Sequence, residues 1–394
     1  ILCLGTIDER KNQITLIKAF NQYCEHNQSD EWKLQIVGLI RDDYKNIIEK
    51  ECKKNPNIEL YYSASDEEID SFFQNAAFTV FPSLEEGYGL PIVESLWHLR
   101  PCICANFGSM HELTKKGGCL AVDVREVSEL VTAFSEMIQN EGIYKEKINE
   151  ILGRNVKTWH EYAESILSDM DLYQFGNRCS GLIYYWVDAT LAATGNTGIQ
   201  RVNRQLAKQL IQQGHQLVPV KWDDSLNSIK LASAKNLEYL EKWNGPDRNE
   251  WHQILDLEKD SKDATYLMVD LPLNRSLDIQ QQVIDMFHSK CIKCTAIFYD
   301  AIPYKLSDIY PVNFTNAHIE YMTMLDQMDS VFSISETSNS DLLAFLNTTS
   351  TRGLLLEQRL KAVTLPAEFP VRKRLDDPIQ FNSELCTILA IGTV

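Results

Sequence analysis

Short apolar runs typical of β-strands alternate with helical patterns along residues 1 to 155, and this alternation constrains the fold more than any other feature of the chain. Strands that alternate with helices pair in parallel, because each helix crosses back over the sheet. The pattern predicts a Rossmann-like lobe. The predicted elements are strands at Ile1–Leu4, Leu34–Val37, Ile58–Tyr62, Ala77–Phe81 and Pro101–Ala105, and helices at Asn12–His26, Asp43–Lys54, Asp66–Asn75, Leu90–Leu99 and Val127–Gln139.

The same pattern resumes after a helix at Lys157–Tyr173, which we interpret as a connector. Gly198–Gln213 is a clear amphipathic helix, because apolar residues recur at four-residue spacing. The stretch 223–262 is polar and helix-prone. We predict an α/β protein of two Rossmann-like lobes, with parallel sheets and helices on both faces. The strands predicted in the second lobe are Leu182–Val187, Gln216–Val220, Thr265–Val269, Thr295–Phe298 and Ser330–Ile334.

A short repeat links the two ends of the chain. Ile1-Leu-Cys-Leu-Gly-Thr-Ile7 returns as Ile388-Leu-Ala-Ile-Gly-Thr-Val394, so that the Gly-Thr pairs align. The recurrence follows directly after the second lobe ends. We interpret the chain as one period of a longer array that is cut at equivalent points.

Composition limits the classes of function. A net charge of −17 in 394 residues argues against a general nucleic-acid-binding protein, which would carry a basic stripe. No apolar run approaches the roughly 20 residues of a membrane span, and the first residues lack the basic leader of a signal peptide. Ten cysteines without such a leader favour a reducing cytoplasm.

Two closely spaced cysteine pairs, Cys102-Ile-Cys104 and Cys291-Ile-Lys-Cys294, lie in apolar, strand-like runs. A zinc site needs about four ligands, and neither pair has a second pair at a matching spacing. A free cysteine behaves as a small hydrophobic residue. We therefore predict buried structural thiols and no metal site. Asp169-Met-Asp171 is interpreted as solvated surface.

The segment Glu85–Ser95 is the strongest candidate for a site. It follows a predicted strand and leads into a helix with a proline in its first turn. Open α/β sheets bind ligands at the carboxyl ends of their strands, and a helix N-terminus with exposed amides suits a diphosphate. We expect the backbone amides of four consecutive residues to form an anion-binding nest. These residues are Gly87, Tyr88, Gly89 and Leu90.

Three segments of the first lobe resemble the family-4 (group 1) retaining glycosyltransferases. They are Gly5-Thr-Ile-Asp-Glu-Arg-Lys-Asn12, Glu86-Gly-Tyr-Gly-Leu-Pro-x-x-Glu94 and Arg100-Pro-Cys-Ile-Cys-Ala-Asn-Phe-Gly108. The resemblance implies the GT-B fold, in which two Rossmann-like lobes face each other across a cleft. It covers residues 1–170 as the donor-binding, C-terminal lobe of one enzyme.

The resemblance implies a role for four side chains, with Glu86, Lys11 and Arg10 as the catalytic residues and Glu94 as a substrate-binding residue. Lys11 and Arg10 would contact the diphosphate of a nucleotide sugar, since charge-assisted hydrogen bonds to phosphate are strong. Glu86 would bind hydroxyls of the donor sugar, and Glu94 would bind the ribose. On one continuous helix the two glutamates would be about 12 Å apart, which suits gripping two ends of a substrate better than glycoside hydrolysis.

The second lobe resembles the acceptor-side, N-terminal lobe of another enzyme of the same type, with a less specific match. The matching segments are Thr194-Gly-Asn-Thr-Gly-Ile-Gln-Arg201, Tyr299-Asp-Ala-Ile-Pro303 and Ser333–Leu342. We assign substrate binding to Gly198, Arg201 and Asp300. Arg204 lies one turn from Arg201 and either binds an anion with it or is simply exposed. Many relatives carry a histidine where this chain has Tyr299, which puts the activity of the second unit in doubt.

The resulting domain prediction has four parts. Residues 1–155 form the donor lobe of one unit, and 156–180 a connecting helix and linker. Residues 181–384 form the acceptor-side lobe of a second unit, and 385–394 the first strand of the next donor lobe. The two lobes either belong to adjacent enzymes, which we prefer, or pack as a permuted GT-B pair.

The predicted function is retaining transfer of a mannose- or rhamnose-like hexose from a nucleotide sugar to a glycan or lipid-linked acceptor, in synthesis of an O-antigen-type polysaccharide. The donor is a substrate, so no cofactor and no nucleic-acid partner are predicted. The predicted location is the cytoplasm, with peripheral membrane association left open. The alternative is a non-catalytic module that binds nucleotide sugar or glycan, with a degenerate second unit. A nicotinamide-dependent oxidoreductase is disfavoured, because Gly-x-Gly-x-x-Gly does not follow the first strand.

Overall fold

In the computed structural model, the chain forms two compact units. The structure describes residues 2–27, 31–170, 173–174, 177–178, 181–193, 195–246, 251, 264–349, 356–369, 374 and 387–390. Unit 1 comprises Ile1–Lys157 and Pro366–Val394, and unit 2 comprises Thr158–Leu365. Each unit contains its own sheet, so the predicted α/β class with two Rossmann-like lobes is confirmed.

Unit 1 is built on a seven-stranded sheet in which every described pairing is parallel. Its order is β1-β2-β16-β4-β5-β6, and β3 also pairs with β2. The strands are β1 (Leu2–Leu4), β2 (Lys33–Val37), β3 (Ile58–Tyr61), β4 (Ala76–Phe81), β5 (Cys102–Ala105), β6 (Cys119–Val122) and β16 (Thr387–Ala390). The central strands β4 and β5 are buried along their whole length, as expected for a parallel sheet covered on both faces.

The described residues of unit 1 form seven helices. They are α1 (Gln13–Asn27), α2 (Asp42–Cys52), α3 (Asp66–Asn75), α4 (Leu90–Trp97), α5 (Gly108–Thr114), α6 (Val127–Gln139) and α7 (Glu141–Gly153). Helix α3 begins where the sequence predicts, because Ser65 and Glu68 form a reciprocal capping box. Helix α1 packs against α6, where Phe20 and Tyr23 contact Phe134 with ring centroids 6.2 and 6.0 Å apart.

Both copies of the terminal repeat contribute a strand that pairs with β2. Gln35 of β2 is the backbone partner of Leu2 in β1 and also of Leu389 in β16. Strand β16 pairs on its other side with β4. The repeat therefore supplies two segments suited to the same partner strand. The assignment of residues 385–394 to a following lobe stays a prediction.

Unit 2 contains a second seven-stranded sheet of order β11-β10-β9-β12-β13-β14-β15, parallel except for the β10–β11 hairpin. Its strands are β9 (Leu182–Trp186), β10 (Gln216–Asp223), β11 (Ser228–Leu231), β12 (Ala264–Met268), β13 (Lys293–Phe298), β14 (Ser330–Ser333) and β15 (Leu360–Ala362). A short two-stranded ribbon lies outside this sheet, made of β7 (Tyr173–Gln174) and β8 (Asn177–Arg178).

In the part of unit 2 that the structure describes, there are eight α-helices. They are α8 (Trp159–Asp169), α9 (Gly198–Gln212), α10 (Ala234–Glu241), α11 (Leu277–His288), α12 (Ile302–Lys305), α13 (Val312–Met324), α14 (Glu336–Thr349) and α15 (Leu356–Arg359). One face of the sheet packs on α11, where the rings of Tyr266 and Phe287 stack with centroids 4.4 Å apart.

The two units divide the chain differently from the sequence-based domains. Helix α8, expected as a connector, packs on α9 and buries Trp159 and Tyr162 within unit 2. Residues 366–369, assigned from the sequence to the second lobe, fall in unit 1. The reason is a contact between residues far apart in the chain: Phe369 is buried, and its ring lies 5.1 Å from that of His98 in unit 1. The N–H of Ala367 also donates to the carbonyl of Lys157 at 3.0 Å.

Two local predictions need correction. Part of the stretch 223–262 forms the β10–β11 hairpin rather than a helix, with Asn227 in its turn at φ 45°. Cys291 is exposed rather than buried, because it occupies a left-handed turn position at φ 57° after α11. Cys102, Cys104 and Cys294 are buried, as predicted.

Candidate functional site

The candidate site of unit 1 is assembled from two loops at the carboxyl ends of its strands. One loop follows β1 and carries Arg10 and Lys11, and the other follows β4 and carries Glu86. A backbone hydrogen bond joins them, since the N–H of Leu84 donates to the carbonyl of Arg10 at 2.9 Å. Residues 75 positions apart in the chain are thus fixed beside each other.

The structure brings the three predicted catalytic side chains into direct contact. Oε1 of Glu86 accepts hydrogen bonds from Nζ of Lys11 at 2.6 Å, from Arg10 at 2.8 Å and from Oγ of Ser83 at 2.5 Å. Arg10 also donates to the carbonyl of Glu85 at 2.6 Å. Among the described residues, none donates to Oε2 of Glu86. One carboxylate oxygen is therefore held in place, and the other remains available to a ligand.

The charges around Glu86 keep it ionised. Burial alone would raise the pKa of Glu86, but the charges of Arg10 and Lys11, with hydrogen bonds from Lys11 and Ser83, lower it to about 2. At neutral pH the carboxylate is thus an acceptor and cannot donate a proton. This suits the binding of sugar hydroxyls and excludes Glu86 as a general acid in this state.

Lys11 is held more tightly than an exposed lysine would be. It is 2% exposed, and its ammonium lies 5.1 Å from the ring centroid of Phe81. Burial lowers the pKa of Lys11, and the attraction of Glu86 opposes that effect. Arg10 keeps a side-chain exposure of 17%. Two cations face Glu86, and Asp8 adds a second carboxylate near Lys11, so the charges of the cluster balance.

The predicted anion nest leads into helix α4. Gly89 precedes the helix in a left-handed conformation at φ 105°, and a Cβ there would lie 3.2 Å from Ile92 and 3.3 Å from Leu113. Glycine thus lets the backbone turn sharply into the helix. Tyr88 and Leu90 are buried. The nest itself stays a proposal.

Glu94 does not share a helix with Glu86, because α4 begins only at Leu90. Every residue of α4 is buried, and Glu94 is 7% exposed. A buried carboxylate in an otherwise apolar helix is unusual unless it is paired or used. Its role toward a ribose stays a proposal.

Sequence reasoning missed the residues that support Glu86. Ser83 donates to its carboxylate, and Ser109 at the start of α5 donates to its backbone carbonyl at 2.6 Å. Asn12 lies at φ 57°, and its amide donates to the carbonyl of Val124 at 2.8 Å. Ser83 could have been flagged as a hydroxyl directly after a buried strand. No sequence signal marks Ser109.

In unit 2, the predicted site residues lie on two elements. Gly198 is the first residue of α9, and Arg201 on the same helix is 7% exposed. Arg204 is also buried, so the alternative that these arginines are simply exposed is wrong. Arg204 donates to the carbonyl of Tyr239 at 3.0 Å and to Oδ1 of Asn196 at 2.7 Å. It lies 4.3 Å from the ring of Trp243 and therefore helps to fix two loops.

Asp300 follows β13 at the carboxyl edge of the unit 2 sheet. Its Oδ1 accepts the N–H of Ile302 at 2.9 Å. Tyr299, which stands where many relatives have a histidine, is buried and donates to the carbonyl of Val269 at 3.0 Å. A histidine from another element approaches instead, because His318 on α13 forms a hydrogen bond with the backbone of Asp300. Burial lowers the pKa of His318 to about 4, so it is neutral.

A buried carboxylate that sequence reasoning missed lies at the same edge of the sheet. Asp270 is 1% exposed and accepts hydrogen bonds from the N–H and hydroxyl of Thr190 and from Asn203 at 2.8 Å. Burial raises the pKa of Asp270 to about 6, although these donors oppose the effect. Asp188 and Asp270 each come directly after the valine that ends a predicted apolar strand, and this pattern could have marked both residues as site candidates.

Residues 1–159 match the family described as glycosyl transferases group 1. The matched range includes the contact between Glu86, Arg10 and Lys11. The family match therefore agrees with the resemblance that the sequence motifs indicate.

Three curated relatives share part of the chain. An uncharacterized glycosyltransferase of Methanocaldococcus jannaschii is 32% identical over 117 residues, which are 29% of this chain and 32% of that protein. O-antigen chain mannosyltransferase B of Escherichia coli is 27% identical over 143 residues, 36% of this chain and 37% of that protein. The serotype-specific mannosyltransferase WbdA of Escherichia coli is 25% identical over 181 residues, 43% of this chain and 21% of that protein.

The chain spans no more than 37% of the length of these curated relatives.

In the part of the chain that the structure describes, no helix is both long enough and apolar enough to cross a membrane.

Proposed function

We propose that this chain is part of a retaining glycosyltransferase whose unit 1 binds a nucleotide-sugar donor. The observation that carries the proposal is the state of the Glu86 carboxylate. One of its oxygens is bound by three donors, and the other has no donor among the described residues. A carboxylate fixed in this way can accept a hydrogen bond from a sugar hydroxyl without rearranging, which favours a preorganised site.

Arg10 and Lys11 would stabilise the leaving diphosphate. Retaining transfer develops negative charge on the departing phosphate and positive charge on the sugar ring. Both cations lie within hydrogen-bond distance of the carboxylate that faces the sugar. Amides at the start of α4 would add donors to the phosphate. In this mechanism, the departing phosphate accepts the proton of the acceptor hydroxyl on the same face of the sugar.

The sugar, acceptor and pathway rest on the relatives. Two of them are named as mannosyltransferases, and one is named for the O-antigen chain. We infer a mannose- or rhamnose-like hexose and a glycan or lipid-linked acceptor in polysaccharide synthesis. Glu94 would bind the ribose of the donor. A cytoplasmic location with peripheral membrane association stays a prediction.

Gly198, Arg201 and Asp300 are proposed to bind substrate in unit 2. One observation favours the alternative that unit 2 is a non-catalytic module. The side chain of Tyr299 points into the core, where its hydroxyl bonds to Val269, so it cannot replace a histidine at the surface. Binding of a glycan without turnover at that unit would agree with this second candidate.

The test is the Glu86→Gln variant of the full chain, assayed for release of nucleoside diphosphate from a panel of nucleotide sugars with lipid-linked and glycan acceptors. We expect transfer to fall by at least about 100-fold, since the amide loses the charge that orients the sugar and balances the two cations. The matched control is Glu126→Gln, which removes an exposed carboxylate of the same unit.

Near-ultraviolet circular dichroism establishes whether each variant is folded, because removing Glu86 leaves two cations without their partner. A folded Glu86→Gln variant that transfers sugar within tenfold of the native rate contradicts the proposal. Tight binding of nucleotide sugar by the native chain without release of nucleoside diphosphate supports the non-catalytic alternative.

A further inference from the structure

Three metal-ligating side chains meet at the amino edge of the unit 2 sheet. His288 is the last residue of α11, Cys294 lies in β13, and Asp329 precedes β14. One ligand atom from each lies within 4.8 Å of the other two. Nε2 of His288 lies 3.1 Å from Oδ2 of Asp329, which also accepts the N–H of Cys294 at 2.8 Å.

This cluster is separate from the substrate-binding residues proposed for unit 2. Strand β13 runs from Lys293 to Phe298, and Asp300 follows its far end. Six residues of extended chain span about 20 Å. The cluster therefore lies at the opposite edge of the sheet from Asp300, and the proposed function of unit 2 does not use it.

The three donor atoms suit one kind of cation. Imidazole nitrogen, thiolate sulfur and carboxylate oxygen are each ligands that Zn²⁺ accepts in proteins. Around a tetrahedral zinc ion, such ligand atoms lie roughly 3.3 to 3.7 Å apart, from bond lengths of about 2.0 to 2.3 Å. Binding requires movements of up to about 1 Å: the sulfur lies at most 4.8 Å from the other two ligand atoms and must come closer to them, whereas the 3.1 Å between His288 and Asp329 must widen slightly. Two of the three side chains can make them, because His288 and Asp329 are 36% and 46% exposed.

We propose that His288, Cys294 and Asp329 form a Zn²⁺ site in unit 2. The strand holds Cys294 rigidly, and its thiol makes only a weak contact with the carbonyl of Ile292 at 3.8 Å. Cys294 is fully buried, whereas His288 and Asp329 are exposed to solvent. When the sulfur–zinc bond forms, the thiol proton passes to the solvent.

The fourth position of the site is open to water. Cys291 is exposed and stands at Cys-x-x-Cys spacing from Cys294, but among the described residues the cluster of ligand atoms within 4.8 Å comprises only His288, Cys294 and Asp329. A water molecule would therefore complete the tetrahedron. Because the site joins α11, β13 and β14, zinc would stabilise the folded state of unit 2.

The test uses the full chain, reduced and freed of metal with a chelator, and titrated with Co²⁺ and then Zn²⁺. We expect a thiolate-to-cobalt charge-transfer band in the near ultraviolet, removed by about one equivalent of Zn²⁺. His288→Gln should weaken Co²⁺ binding at least about tenfold. Cys294→Ser should abolish the thiolate-to-cobalt band, because Cys294 supplies the sulfur ligand.

Matched controls separate this site from the other cysteines of the chain. His160→Gln removes another half-exposed histidine of unit 2. His160 pairs with Glu164 at 3.4 Å, and among the described residues it belongs to no cluster of metal-ligating side chains. Cys52→Ser removes a buried thiol of unit 1. Both controls should bind Co²⁺ as the native chain does.

His288 is a surface residue, so its variant tests the site even if Cys294→Ser fails to fold. Equal Co²⁺ affinity in the native, His288→Gln and His160→Gln chains overturns the proposal. A native chain that shows no thiolate band also overturns it. Neither result bears on sugar transfer, because the Glu86 test concerns unit 1.

Discussion

The Glu86 carboxylate combines two tasks in unit 1. It balances Arg10 and Lys11, and it presents one oxygen that no described residue occupies. Removing one partner of a buried ion pair leaves an uncompensated charge, which costs several kcal/mol. The same residue is therefore expected to affect both stability and transfer, and the two effects have to be measured separately.

Because the pKa of Glu86 is lowered, the free energy of unfolding of unit 1 depends on pH in the acidic range. Its folded pKa of about 2 lies below its ordinary 4.5. The contribution of the ionised Glu86 carboxylate to the free energy of unfolding is fully present above pH 4.5 and is lost as the pH falls toward 2. It amounts to about 3 kcal/mol. Denaturant unfolding of native and Glu86→Gln chains between pH 5 and pH 2 should show a shallower decline in the variant. Parallel declines would disprove the effect.

At the scale of elements, the ends of β1 and β2 approach so closely that only glycine fits between them. A Cβ on Gly38 would lie 1.8 Å from the carbonyl oxygen of Gly5, and the N–H of Gly5 donates to Val37 at 3.0 Å. This contact places the loop that carries Arg10 and Lys11. The positions of these side chains therefore depend on the approach of two backbones.

Gly38→Ala should separate these strand ends and reduce the unfolding free energy of unit 1 by about 3 kcal/mol or more. Gly108→Ala tests left-handed backbone strain without a clash, because its φ is +61° and nothing lies within 4 Å of a Cβ. It should cost about 1 kcal/mol. Gly153→Ala introduces neither a clash nor left-handed backbone strain, so it should hardly change the free energy of unfolding. Equal unfolding midpoints for all three would refute the close-approach argument.

Strong local signals predicted several elements closely. Asp66–Asn75 and Val127–Gln139 match their predicted bounds, because a capping box marks the first and a clear apolar face marks the second. Strand β10 was predicted, but its hairpin partner β11 was missed, since the stretch after β10 is polar and helix-prone and only pairing with β10 makes β11 extended. Helix α8 was found, but its packing partner depends on contacts distant in sequence.

At the scale of the whole molecule, the two units carry buried carboxylates whose pKa shifts have opposite signs. Asp270 in unit 2 has a folded pKa raised from 3.8 to about 6 by burial. Its contribution to stability is fully present below pH 3.8 and is lost as the pH rises through 6. Glu86 in unit 1 behaves in the opposite way, in a more acidic range.

Lowering the pH from 7 to 4 should therefore add up to about 3 kcal/mol to the stability of unit 2 through Asp270, while the lowered pKa of His318 in the same unit acts in the opposite direction. Hydrogen exchange with mass spectrometry resolves the two units and measures the change in each. In Asp270→Asn, the stability of unit 2 at pH 4 relative to pH 7 should be lower than in the native chain by up to about 3 kcal/mol, whereas the exposed control Asp308→Asn should match the native chain. The same pH dependence in Asp270→Asn and in the native chain would rule out the contribution of Asp270.

The sequence by itself determined the α/β class, most strands of both sheets and the identity of Arg10, Lys11 and Glu86 as partners in one site. These follow from local apolar periodicity and from motifs that lie within a few residues of strand ends. Only the tertiary structure decided that three donors hold one oxygen of Glu86, that Arg204 is buried, and that His288 and Asp329 join Cys294. Such groupings bring together residues far apart in the chain, and no local pattern encodes the distance between them.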